Sequence, residues 1–71
     1  MDNWLNILQN EEITDKTLEE EILMLCISGS FVCKLENQDE IIVSVGEDIK
    51  IGAYKSYNIK AQENSQIMLI K

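Results

Sequence analysis

Between Gly46 and Ala61 the chain reads GEDIKIGAYKSYNIKA, and the reading of this stretch decides the fold. A glycine followed by two acids makes a turn, after which Ile49 and Ile51 alternate with polar residues. A loop of small and aromatic residues, Gly52 to Ser56, leads into a second alternating strand through Tyr57, Ile59 and Ala61. Such alternation is what a half-buried strand requires, because successive side chains leave on opposite faces.

The same pattern extends in both directions. Upstream, Ile22 to Glu36 reads ILMLCISGSFVCKLE, two strands joined at Ser28-Gly29-Ser30, where glycine supplies the backbone angles of a tight hairpin. Asn37 and Gln38 offer a further turn before the strand Glu40 to Val45. Downstream, a polar turn at Gln62 to Ser65 precedes a last strand, QIMLI, ending at Ile70. Six short strands with closely spaced turns predict an all-β barrel or sandwich. The N-terminal stretch reads differently. Asp2 is a good N-cap, and Trp4, Leu5 and Leu8 recur at helical spacing, so a short helix over residues 1–10 is expected, with Asn10 at its end. Residues 11–21 form a polar, acidic connection whose large apolar residues are Ile13 and Leu18, compatible with a short strand or turn.

Composition narrows the function classes. At 71 residues the chain is one domain, 1–71, with a core near the lower size limit for self-sufficiency. Its apolar fraction of 45% is that of a globular protein. A net charge of −7 argues against direct contact with nucleic acid or an anionic membrane. All six basic residues are lysine, which removes bidentate phosphate recognition by arginine. Histidine is absent, and with it the usual proton shuttle and the commonest metal ligand. The acidic start Met1-Asp2-Asn3 has no apolar segment after it, and the longest apolar run, Ile22 to Ile27, is far short of a bilayer span. Two cysteines without an export signal read as reduced thiols, and the expected location is cytoplasmic.

The run from Ile22 to Ile70 resembles a cupin, a family of small jelly-roll β-barrels. The second cupin motif has the form GDxxxIPAGxPHxxxA, and the chain places Gly46, Glu47, Ile51, Gly52, Ala53, Tyr54, Tyr57 and Ala61 at those positions. Gly29 matches the glycine that ends the first motif. The resemblance implies a mainly β, cupin-like barrel over residues 22–71. It also implies where a metal would sit, since cupin enzymes hold a divalent ion with two His and a Glu of the first motif and one His of the second. Here Ile22 stands at the Glu position, Tyr57 at the second-motif His, and Asp15 to Leu18 covers the other two without a histidine. No metal and no cofactor are therefore expected.

Each of the remaining polar residues has a chemical and a structural reading. Cys26 and Cys33 flank the Gly29 turn and would face each other across neighbouring strands of a hairpin, as a two-thiol zinc or redox site. With no histidine to activate them and acidic surroundings, they read instead as small core hydrophobes. Glu19-Glu20-Glu21 and Glu47-Asp48 offer carboxylates, but neighbours along an extended chain point apart and read as solvated charge. Tyr57 is the residue the resemblance aims into the barrel. With Met24, Cys26, Phe31 and Ile59 it forms the expected lining for a small apolar ligand.

Strand parity assigns the faces. Tyr57, Ile59, Ala61, Ile22, Met24, Cys26, Phe31, Cys33, Leu35, Ile41, Val43, Val45, Ile49 and Ile51 are expected inside. Leu23, Leu25, Ile27, Val32, Ile42, Met68 and Ile70 then point outward. An outer face this apolar requires cover. With Trp4, the residues Leu23, Leu25, Ile27, Val32 and Ile42 form the expected homodimer interface. The functional expectation is a non-catalytic binding or assembly module acting as a homodimer, with a protein partner or a small apolar ligand. Two rivals stand beside it: an acidic inhibitor that mimics nucleic acid for a basic partner, and a cofactor-free isomerase or lyase using Tyr57 with a carboxylate.

Overall fold

A computed structural model describes residues 3–71 and contains eight strands. They are β1 (Asn3–Ile7), β2 (Glu12–Lys16), β3 (Ile22–Ser28), β4 (Ser30–Leu35), β5 (Ile41–Ser44), β6 (Asp48–Ile51), β7 (Ser56–Ala61) and β8 (Ser65–Ile70). Two four-stranded antiparallel sheets result, one ordered β1-β8-β3-β6 (sheet A) and the other β2-β7-β4-β5 (sheet B). Every connection except β4–β5 carries the chain from one sheet to the other, which is jelly-roll winding.

The expected N-terminal helix is not present. Asn3–Ile7 is an edge strand paired along its whole length with β8, from Asn3 opposite Leu69 to Ile7 opposite Ser65. The proposed cap, Asp2, lies outside the described residues. Trp4, Leu5 and Leu8 do satisfy helical spacing, but Leu5 and Ile7 satisfy strand alternation equally well. A helix of that length is marginal by itself, whereas the strand gains a full ladder from β8. Ile7 enters the core at 2% exposure, while Leu8 is left 63% exposed. The acidic connection holds β2, whose Ile13 lies opposite Ile59 and packs against the core.

The Ser28-Gly29-Ser30 turn also differs from expectation. Gly29 has φ +80 as a hairpin glycine would, yet β3 and β4 are not paired, and the turn crosses from sheet A to sheet B. Ser65 secures this crossing: its Oγ accepts from the Ser30 N–H at 3.1 Å and donates to the Ser30 carbonyl at 3.0 Å. The Gly46 turn (φ +84) returns the chain to sheet A, held against β3 by Gly46 N–H to Cys26 carbonyl and Cys26 N–H to Glu47 carbonyl, both 2.9 Å.

The core lies between the sheets. Sheet A contributes Ile7, Ile22, Met24, Cys26, Ile49, Ile51 and Ile67, and sheet B contributes Phe31, Cys33, Val43, Tyr57, Ile59 and Ala61. Of the residues expected inside, Leu35 is half-buried and packs against this core, but Ile41 and Val45 are exposed. Ile41 opens an edge strand, and Val45 lies in the turn beyond its end, where strand parity no longer applies.

Candidate functional site

Strand ends from both sheets surround a cleft of about 740 Å³, formed by Asn3 of β1, Asp15 and Lys16 of β2, the following Thr17 to Glu20, Ile22, Tyr57, Leu69 and Lys71. Thr17 shapes its lip. Nearly buried, it donates its hydroxyl to the Gly52 carbonyl at 2.6 Å and accepts from the Lys55 N–H at 2.8 Å. These bonds tie the β2–β3 connection to the β6–β7 loop. In that loop Tyr54 has φ 59, so a tyrosine adopts the left-handed conformation where the cupin pattern has glycine. The sequence offers no cue to the buried role of Thr17, one of two threonines in an acidic run.

Ile22, Tyr57 and the segment Asp15 to Leu18 all line this cleft, so the positions that resemble cupin metal ligands do meet in space. Their chemistry does not fit a metal. Ile22 is hydrocarbon and Tyr57 a phenol, and among the described residues no three His, Cys, Asp or Glu side chains converge as a ligand set would. Tyr57 is only 8% exposed. Burial, then the charge of Asp15 directly opposite on β2, then Cys33, raise its pKa, so it stays protonated at neutral pH and is a poor base. Tyr57 thus has a carboxylate as its cross-strand neighbour, and that charge favours the protonated phenol over a phenolate base.

Met24, Cys26, Phe31 and Ile59, the rest of the expected ligand lining, fill the core and do not reach the cleft. Cys26 and Cys33 are both buried free thiols, but on different sheets, not facing each other on neighbouring strands. Burial pushes Cys33 up to about 11. Cys26 is also raised, by burial and then by Glu63 and Glu47, and its Sγ lies 3.4 Å from the Gly29 carbonyl. Both shifts disfavour the thiolate, which is the nucleophilic form. Glu19, Glu20, Glu21, Glu47 and Asp48 are exposed.

The outer faces separate what parity had joined. Val32 and Ile42 lie opposite each other on sheet B, among Glu12, Lys60, Thr14, Asn58 and Lys34. Leu23, Leu25, Ile27 and Trp4 belong to sheet A, on the far side of the molecule. There the register aligns two apolar rows. Trp4 lies opposite Met68, Met68 opposite Leu25, and Leu25 opposite Asp48. Beside it, Ile70 lies opposite Leu23, and Leu23 opposite Lys50. Below these rows the face turns polar at Asn6 and Gln66. Trp4 is 53% exposed. Among the described strand residues, each sheet's outer face carries one carboxylate, Asp48 on A and Glu12 on B.

This strand order, with its three-dimensional course, is shared with solved structures. The fold is a cupin fold. The chain superposes on the Drosophila melanogaster CENP-C structure solved bound to CAL1 with a TM-score of 0.88, at 18% identity, over 99% of this chain and 62% of that one. A cupin superfamily protein from Desulfitobacterium hafniense gives 0.89 at 15% identity, over 99% and 63% of the two chains. A cupin-2 domain protein from Shewanella frigidimarina gives 0.83 at 16%, over 99% and 67%. The chain thus spans less than two thirds of the length of the first two. No family model and no curated protein matches its sequence.

Proposed function

We propose that the chain is a non-catalytic assembly module, a cupin sandwich that forms a homodimer through the outer face of sheet A. The observation that carries this reading is the pair of adjacent apolar rows, Trp4–Met68–Leu25 and Ile70–Leu23, on a single open face. Water-facing sheet positions are ordinarily polar, and a contiguous patch of this kind marks a surface meant for contact. The broad face of this 29 × 28 × 18 Å molecule is of the order of the ~800 Å² that each partner contributes to a standard interface. The small core supports the reading as well, because domains of this size gain stability by association. A cupin domain is also the fold of CENP-C in its structure with CAL1, a protein–protein assembly.

Sedimentation equilibrium at micromolar concentration tests the proposal. The 8.2 kDa chain is expected at twice its mass. Leu25→Asp is expected at the monomer mass, because dimerisation would bury an unpaired carboxylate. Wild type at the monomer mass would refute the homodimer.

A further inference from the structure

The charges bordering the apolar rows indicate how the second copy sits. Resting on the homodimer reading above, we infer that the two-fold axis runs across the strands, between the two rows, so that Asp48 of each chain meets the partner's Lys50. Asp48 and Lys50 are the outward residues of edge strand β6, since Ile49 and Ile51 between and after them are buried. Asp48 ends the Trp4–Met68–Leu25 row, and Lys50 ends the Ile70–Leu23 row. One row thus terminates in an anion and its neighbour in a cation, in the same column of the sheet.

A two-fold contact must be complementary to itself. Two sheets packed face to face with aligned strands can be related by an axis along the strands or across them. An axis along the strands keeps each row on itself and reverses the columns, which lays Asp48 on the partner's Trp4, where no described residue offers it a counter-charge. An axis across the strands exchanges the rows and keeps the columns. Leu25 then packs on the partner's Leu23, Met68 on the partner's Ile70, and Asp48 pairs with the partner's Lys50 twice over, once in each direction. Among the described residues of its own chain, Lys50 pairs with Glu21 alone, at 4.0 Å and with both side chains largely exposed, a weak contact. The reciprocal pairs sit at the border of the apolar rows, where charge selects orientation and partner.

Charge reversal tests this by sedimentation equilibrium, with thermal unfolding to confirm that each variant is folded. Asp48→Lys sets lysine against lysine twice, and Lys50→Asp sets aspartate against aspartate twice. Each is expected to weaken the homodimer by about ten-fold or more. The double variant D48K/K50D restores both attractions and is expected to return to within a few-fold of wild type. An equimolar mixture of the two single variants is expected to form a heterodimer tighter than either homodimer. If wild type is a dimer and the single variants dimerise as tightly as it does, or the mixture shows no preference, the assigned axis is wrong while the homodimer stands. If wild type is a monomer, the homodimer reading fails and this inference with it.

Discussion

At Gly29 the backbone has φ +80, and an added Cβ would fall on the Asn64 carbonyl and the Ser65 hydroxyl, which secures the β3–β4 crossing. Gly46 has nearly the same φ, +84, but open space around it. The two glycines therefore separate strain from collision. Gly46→Ala is expected to cost about 1–2 kcal/mol from the left-handed backbone alone. Gly29→Ala is expected to cost roughly 2–4 kcal/mol, strain and overpacking together, in urea unfolding. Both glycines are conspicuous in the sequence, yet only the structure distinguishes them, because the collision at Gly29 comes from Asn64 and Ser65, far along the chain. The buried thiols make a prediction about pH. An unfolded cysteine ionises near 9.0, whereas Cys33 in the folded chain does so at about 11. Below pH 9 both states hold the proton and stability is unaffected. Between pH 9 and about 11 the unfolded chain releases it first, so stability falls. Urea midpoints measured from pH 7 to 11 should be flat and then decline, and Cys33→Ala should decline less. Cys26 and Tyr57, also raised, act in the same direction.

Among the elements, β1 decides most about the N-terminal reading. A helix presenting Trp4, Leu5 and Leu8 would depend on Leu8, while the strand depends on Ile7. Ile7→Ala is expected to cost about 2–4 kcal/mol, and Leu8→Ala well under 1 kcal/mol, in paired denaturation curves. Equal losses would contradict the strand. The six strands from Ile22 onward were legible because one face of each is buried against the opposite sheet, and burial imposes the period of two on the sequence. β1 was not, because Trp4 occupies its solvent side and blurs the alternation. The partition of strands between sheets was not legible either. A glycine with positive φ serves a hairpin and a crossover alike, so β3 and β4 read as neighbours although their ladders are with β8, β6, β7 and β5. For the candidate site the consequence was direct. Outward parity was correctly assigned to Leu23, Leu25, Val32 and Ile42, but it cannot say that outward from sheet A and outward from sheet B are opposite directions.

For the molecule as a whole, the described residues of this cupin fold bring no fitting metal ligand set together. The cleft at the strand ends holds carboxylates and a phenol held in its protonated form, and sheet A carries two adjacent apolar rows that end in Asp48 and Lys50. Trp4 reports directly on whether a second copy covers this face. It is the chain's one tryptophan, lies in the Trp4–Met68–Leu25 row, and is 53% exposed in the single chain. Indole emission shifts to shorter wavelength when the ring leaves water. The measurement is the Trp4 emission maximum of wild type beside that of folded Leu25→Asp, both at micromolar concentration. A blue-shifted maximum is expected in wild type and a water-exposed one in the variant. The same water-exposed maximum in both proteins would mean that no second copy covers the face.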